Sequence, residues 1–171
     1  VSRTTGQQAG PSTGDPREFE SFADVREAFH KQVAWMRENT QKVAIDLERS
    51  LLELKPTVYE SALIDDCIER GLSKEEGGAR YDYNLSDVEH GSTDAGNSLA
   101  AIEKLVFEDK EFTMGQLCDA LDSNFEGHEG IRKLCLGIPK FGNDDDFVDG
   151  HVAWVLNEWG TEFRKLKNLR G

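Results

Sequence analysis

An apolar stripe begins at Phe22 and continues without proline or glycine until Pro56. Its members recur at steps of three and four residues, which is the spacing of one face of an α-helix. Ser21 is a good N-cap, and proline ends a helix because it has no N–H to donate. The pattern therefore predicts one long amphipathic helix, which needs a partner surface along its whole length. The stripe consists of Phe22, Val25, Phe29, Val33, Met36, Val43, Leu47, Leu51 and Leu54.

Five further segments are predicted to be helical. They cover about residues 57–70, 94–108, 113–124, 129–136 and 145 onward. Thr113 and Gln116 form a capping box, which is typical of a helix start. The last helix carries His151 within its apolar stripe. The sequence thus indicates about six helices.

Residues 79–85 show the alternation of a β-strand and carry Tyr81 and Tyr83. One strand cannot make a sheet, because its backbone groups need neighbouring strands. We therefore expect those neighbours outside this chain, in a larger α/β body. Residues 1–20 are polar and rich in glycine and proline, which predicts an extended connector before a domain at 21–171.

Acidic residues outnumber basic ones, 33 to 20, which gives a net charge of −13. This charge repels phosphate backbones and anionic membrane surfaces, so we expect no nucleic-acid partner and no membrane partner. The three cysteines, an odd number without close spacing, are a poor disulfide framework. Reduced thiols that pack as small apolar groups fit a cytoplasmic protein.

Five segments carry a family resemblance when they are taken together and in order. They are residues 13–17 (TGDPR), 63–71 (LIDDCIERG), 77–81 (GGARY), 97–107 (NSLAAIEKLVF) and 139–149 (PKFGNDDDFVD). This series resembles the glycyl radical enzymes, in the pyruvate formate-lyase domain of the diol-dehydratase-like and arylacetate decarboxylase-like branch. The resemblance covers nearly the whole chain.

The resemblance implies an α/β fold in which this chain is a mainly helical segment of a ten-stranded β/α barrel, with one or two strands. It implies a lyase of anaerobic metabolism that acts by hydrogen abstraction. A glycyl radical in the parent enzyme is installed by an activase that uses S-adenosylmethionine and an iron–sulfur cluster. The expected partners are the remainder of the parent enzyme, this activase and a second copy of the parent in a homodimer.

Two motifs of the family do not occur among the 171 residues. The thiyl-cysteine motif, Gly-Cys-Val-Glu, would precede Val1, and the glycyl radical motif, Arg-Val-Ala/Ser-Gly-Tyr, would follow Gly171. We therefore expect an internal segment that holds no radical residue and no bound cofactor and is inactive alone. The alternative is a separately folded, acidic, helical interaction module without catalysis.

The candidate catalytic residues are Glu89 and His90, which follow the predicted strand. In the resembling family this region reaches toward the substrate pocket and is mostly uncharged. A carboxylate there would act as a base or hold a substrate hydroxyl or carboxylate. Because the resembling arylacetate decarboxylases place a glutamate in about this part of the pocket, the resemblance implies an arylacetate-type decarboxylase over a diol dehydratase. The alternative interpretation is a solvated polar loop.

Tyr81 and Tyr83 share one face of the predicted strand and are candidates for the pocket wall or for packing against outer helices. Arg80 is expected to pair with a local carboxylate, or else with an anionic substrate. The acidic run at residues 143–146 lacks the spacing of a calcium loop, so we interpret it as a helix cap. His128, Cys135 and His151 form no zinc-ligand pattern, so no metal is expected.

Overall fold

The computed structural model describes residues 5–54, 56–81 and 90–167. Over these residues the chain is helical and contains no β-strand. The helices are α1 (Phe22–Leu54), α2 (Val58–Ser61), α3 (Cys67–Arg70), α4 (Ser92–Ile102), α5 (Met114–Asp122), α6 (Glu129–Gly137) and α7 (Asp146–Arg164). A 3-10 turn, Pro16–Glu18, precedes α1, and a π-helical turn, Glu103–Glu108, continues α4.

The chain divides into two units. The first contains residues 1–36 and 89–162, and the second contains residues 37–88 and 163–171. Helix α1 belongs to the first unit up to Met36 and to the second unit from Arg37 onward.

The first unit has the hydrophobic core. In one cluster, Phe22 and Val25 of α1 pack with Leu99 of α4 and Val155 of α7. Helices α4 and α7 approach so closely at Gly96 that a Cβ there would lie 2.4 Å from Val152 Cγ2 and 2.8 Å from its backbone. A second cluster is built from Ala101, Leu105, Val106, Phe112, Met114 and Leu117.

The prediction of one long helix from Phe22 to Leu54 is confirmed. At its start, one carboxylate oxygen of Asp24 accepts hydrogen bonds from the backbone N–H groups of Glu20 and Ser21, at 3.0 and 2.8 Å, and from the Ser21 hydroxyl. These bonds satisfy donors that a helix start leaves without an intrahelical acceptor.

The helices predicted after residue 90 are also confirmed, with shifts of a few residues at their ends. The capping box is present in both directions: Gln116 N–H donates to Thr113 Oγ1 at 3.2 Å, and Thr113 N–H donates to Gln116 Oε1 at 2.8 Å. The π-helical turn after Ile102 was not predicted. None of the described helices combines the length and apolarity that crossing a membrane requires.

The single helix predicted for residues 57–70 is wrong. The chain forms two one-turn helices, α2 and α3, that are separated by turns, and Asp66, directly before α3, adopts a left-handed conformation with φ 76°. That conformation cannot continue a right-handed helix. As a result, three members of the predicted apolar stripe, Tyr59, Leu63 and Ile68, are exposed, while Cys67 is buried.

The strand prediction is wrong for residues 79–81, which form bends, and residues 82–85 lie outside the described residues. The backbone groups here bond to the α3 region instead of to a neighbouring strand. Arg80 N–H donates to Asp65 O at 3.3 Å, and Ala79 O accepts from Arg70 Nη1 at 3.1 Å. The described part of this segment therefore gives no support to the inference of missing strands.

Candidate functional site

Two of the candidate residues from the sequence, Tyr81 and His90, flank the segment at residues 82–89, and the other two, Tyr83 and Glu89, belong to it. Tyr83 and Glu89 lie outside the described residues, so their proposed roles stay predictions. Tyr81 belongs to the second unit and is 81% exposed. His90 belongs to the first unit and is exposed.

On the second-unit side, Arg80 is held by Asp66. Arg80 Nη2 donates to Asp66 Oδ1 at 2.8 Å and Arg80 Nε donates to Asp66 Oδ2 at 3.1 Å, in a two-point fork. Arg70 Nη2 donates to the same carboxylate at 3.3 Å. The hydrogen bond from Arg80 is the main reason why the pKa of Asp66 is lowered, with desolvation acting against it. The expectation that Arg80 pairs with a local carboxylate is confirmed.

On the first-unit side, the chain enters α4 through Gly91, which has φ 92° and accepts the first helical hydrogen bond, from Ala95 N–H, at 2.9 Å. Glycine adopts this left-handed conformation without steric cost. The exposed side chain of His90 stands immediately before this turn. The described chain is thus held by the Arg80–Asp66 fork before the segment at 82–89 and by the Gly91 turn after it.

An acid–base pair of a buried histidine and a partly exposed glutamate lies elsewhere in the first unit. His151 of α7 places Nε2 2.8 Å from Glu103 Oε2, and Glu103 is the first residue of the π-helical turn. The imidazole lies edge-on to Phe22 and Phe147, with ring centroids 5.4 and 4.9 Å away. Burial lowers the pKa of His151, and the nearby Glu103 opposes this shift. His151 is therefore neutral at pH 7, with its Nε2–H donating to Glu103.

This pair was missed from the sequence, although one signal was present. A histidine inside an apolar stripe is expected to be buried, and a buried polar group needs a partner. The identity of that partner depends on the π-helical turn, which no pattern in the sequence predicts. A second histidine, His30 of α1, contacts two carboxylates of α7, at 2.5 Å to Glu158 and 3.8 Å to Glu162.

A half-open cavity of about 480 Å³ is formed by α4, α5 and α6 in the first unit. Apolar side chains such as Ile102, Phe112 and Leu117 line it together with Asn97 and Lys140. Lys140 Nζ donates to the carbonyl oxygens of Cys135, at 3.0 Å, and Ile138. The ammonium group therefore stabilises the end of α6.

The acidic run before α7 acts as a helix cap, as predicted. Asp145 Oδ1 accepts a hydrogen bond from Val148 N–H at 3.1 Å, and Asn143 Nδ2 donates to Lys140 O at 3.0 Å. Within residues 5–54, 56–81 and 90–167, no three histidine, cysteine or acidic side chains come together as a metal-ligand set.

The three cysteines, Cys67, Cys118 and Cys135, are free thiols, and Cys67 is buried. Burial raises the pKa of Cys118 and of Cys135. These two thiols stay protonated near neutral pH and are therefore poor nucleophiles. The environments of Cys118 and Cys135 agree with a packing role.

Comparison with known proteins identifies relatives over nearly the whole chain. Residues 1–171 match the family described as pyruvate formate lyase-like. The trans-4-hydroxy-L-proline dehydratase of Clostridioides difficile is 39% identical over 91% of this chain and 20% of its own length. The indoleacetate decarboxylase of Tractidigestivibacter scatoligenes is 30% identical over 82% of this chain and 18% of its own length.

Solved structures show the same relationship. The B12-independent glycerol dehydratase of Clostridium butyricum superposes with a TM-score of 0.88 at 31% identity, over 98% of this chain and 21% of that one. A glycyl radical enzyme from Archaeoglobus fulgidus gives a TM-score of 0.77 at 34% identity, over 88% and 19% of the two chains. This chain spans about a fifth of the length of these relatives.

Proposed function

The chain belongs to the pyruvate formate lyase-like family of glycyl radical enzymes, and from this premise we propose that it is an internal part of a glycyl radical dehydratase. The observation that carries the proposal is the 39% identity to a dehydratase over 91% of the chain. The helical segment would pack around a ten-stranded β/α barrel formed with the remainder of the parent enzyme.

Within this proposal, the chain contributes structure and part of the pocket wall. The glycyl radical supplies hydrogen abstraction in the parent enzyme. Neither radical motif occurs in residues 1–171, so that step is assigned to other parts of the parent. Glu89 and His90 would contact the substrate and hold or move a proton there, and Tyr81 and Tyr83 would line the pocket.

A decarboxylase is the second candidate reaction. It is supported by the charged residues Glu89 and His90 in a region where the resembling enzymes are mostly uncharged, and by the 30% identity to an indoleacetate decarboxylase. The higher identity to the dehydratase favours the first candidate. The parent of either kind would work in an anaerobic cytoplasm, as a homodimer, with a radical S-adenosylmethionine activase.

The test uses the complete gene product, purified without oxygen and incubated with its activase, S-adenosylmethionine and a reductant. We expect an electron paramagnetic resonance signal of a carbon-centred radical, and dehydration of a hydroxyproline or diol substrate measured by mass spectrometry. Release of carbon dioxide from an arylacetate instead would select the decarboxylase.

The alternative, an interaction module without catalysis, predicts a different result. In that case no radical forms, and the 171-residue chain is a monomer that unfolds in one cooperative transition. Size-exclusion chromatography and circular dichroism during denaturation detect these properties, and their combination with a missing radical signal would overturn the proposed function.

A further inference from the structure

Two of the family-like segments, residues 63–71 and 77–81, fold onto each other through one carboxylate. Asp66 receives the fork from Arg80, at 2.8 and 3.1 Å, and the third bond from Arg70, at 3.3 Å. Arg70 in turn donates to Ala79 O at 3.1 Å. Asp66 is therefore the centre of a network that reaches residue 79 through Arg70 and residue 80 directly.

The backbone around this network is held in an uncommon conformation. Asp66 has φ 76°, which costs free energy for a residue other than glycine, although aspartate tolerates it better than most. Gly78 is buried, and a Cβ there would lie 2.2 Å from Leu72 O and 2.9 Å from Ser73 O. Residues 78–80 thus lie against residues 65–73 in an arrangement that a larger residue at 78 would not permit.

The exposed fractions of the three side chains indicate whether the network stabilises the unit or positions the chain. The Asp66 side chain is 15% exposed, while Arg70 and Arg80 are 45% and 57% exposed. Half-exposed ion pairs contribute little to the free energy of unfolding, because water screens them. A two-point guanidinium–carboxylate fork, by contrast, fixes direction as well as distance. The network is therefore better suited to setting the path of the chain than to stabilising the unit.

We propose that Asp66 is a positioning residue that, through Arg80 and Arg70, fixes the path of the chain up to Tyr81. The consequence for catalysis rests on the proposed function, because Tyr81 begins the segment that carries the candidate pocket residues. Asp66 itself is not placed in contact with substrate. Its effect is expected on the geometry of the pocket wall.

The test compares Asp66→Asn and Arg80→Lys in the complete enzyme. Asparagine keeps the size and the tolerance for positive φ but removes the charge, and lysine keeps the charge but removes the fork. The matched control is Asp46→Asn, because Asp46 is in the same unit and pairs with Arg49 at 3.6 Å while 76% exposed. Amide hydrogen exchange of a peptide that covers residues 78–81 measures how firmly the Asp66 network holds these residues, which we call the anchor. Steady-state kinetics measure the consequence of the anchor for substrate binding and turnover.

We expect both variants to raise the exchange rate of that peptide at least about tenfold, because local opening becomes easier. We expect KM to rise about fivefold or more with a smaller change in kcat, because substrate positioning is impaired. The thermal midpoint should stay close to that of the parent, and Asp46→Asn should change none of these quantities.

The exchange rate and KM test separate parts of the proposal. An unchanged exchange rate in both variants overturns the anchor, whatever the activity of the enzyme is. A raised exchange rate with unchanged KM shows that Asp66 has a local structural role alone and overturns positioning. If the complete enzyme forms no radical, the proposed function fails while the exchange measurement still decides the anchor. If Asp66→Asn does not fold, Arg80→Lys carries the same test.

Discussion

The two halves of α1 carry the same apolar stripe and differ in what covers it. In the first unit, Phe22, Val25 and Val33 are 9%, 9% and 8% exposed. In the second unit, Val43 and Leu54 are 67% and 83% exposed. The helical spacing is continuous across both halves, so the difference comes from the surroundings and not from the helix. An amphipathic face becomes a core only where another element packs on it.

The same contrast extends through each unit. The first unit buries large apolar side chains, such as Phe22, Leu99 and Leu117, in the two clusters around α4, α5 and α7. In the second unit, the buried apolar side chains among the described residues are Cys67 and Ala79, while Val58, Tyr59, Leu63 and Ile68 are 70% to 82% exposed. Such a concentration of exposed apolar groups marks an interaction surface. Under the proposed function, the remainder of the parent barrel covers it.

The close contact between α4 and α7 gives the largest expected effect in the first unit. Gly96→Ala should lower the free energy of unfolding by about 2–3 kcal/mol, because its Cβ meets backbone atoms of Val152 that cannot turn away. The control is Gly150→Ala in α7, where no atom lies within 4 Å of the added Cβ. Since alanine is the better helix former, this control should gain about 0.5–1 kcal/mol. Denaturant titration measures the free energy of unfolding of both variants, and equal effects would contradict the close packing of α4 against α7.

Two valines on one helix test the comparison most directly. Val33→Ala should cost about 1–2 kcal/mol, because it removes buried methyl groups from the first unit. Val43→Ala should change the free energy of unfolding by less than about 0.5 kcal/mol, because the side chain is already 67% exposed. A cost at Val43 as large as that at Val33 would show that the second half of the stripe is covered in solution.

The buried His151, paired with Glu103, makes the stability of the first unit depend on pH. The folded-state pKa of His151 is lowered from 6.5, so the unfolded state binds more protons. The contribution of His151 to the free energy of unfolding is therefore fully present above about pH 6.5, and it is lost as the pH falls through the folded-state pKa. His151→Gln should remove this pH dependence, because glutamine does not titrate but keeps an N–H donor for Glu103. It should cost about 0.5–1.5 kcal/mol at pH 7, because the edge-on ring contacts with Phe22 and Phe147 are lost. Thermal unfolding between pH 5 and 8 tests this prediction. If the thermal midpoint has the same dependence on pH in the parent protein and in His151→Gln, the pH dependence belongs to other groups.

The exposed stripe of the second unit gives the smallest effect on folding. Leu47 is 46% exposed, so Leu47→Lys should change the free energy of unfolding of the 171-residue chain by about 0.5 kcal/mol or less. It should nevertheless reduce the binding of an apolar dye and the self-association of the chain, because a charge interrupts the surface. Fluorescence titration and sedimentation measure these changes. Unchanged dye binding would show that this face of α1 is not the apolar surface that binds the dye.

Much of the secondary structure could be predicted because its signals are local. The start of α1 at Phe22 and the capping box at Thr113 and Gln116 depend on residues within one turn of each other. The helix predicted for residues 57–70 failed for the opposite reason. Its break at Asp66 is held by Arg80, which lies 14 positions away, so no window of helical spacing contains the cause.

The candidate site shows the same limit. The pairing of Arg80 with a carboxylate was expected from charge alone, but the choice of Asp66 required the folded chain. The His151–Glu103 pair joins residues of α7 and of the π-helical turn, and the spacing of neither segment indicates the other.

The sequence by itself determined α1 and the helices after residue 90, the acidic surface and membership of a family, because these depend on spacing, caps and motifs along the chain. The tertiary structure alone decided which half of the α1 stripe becomes a core, that residues 79–81 bend back on α3, and where His151 finds its partner. The physical reason is that burial and side-chain pairing depend on groups far apart in sequence, and their free energies are set only when the elements pack.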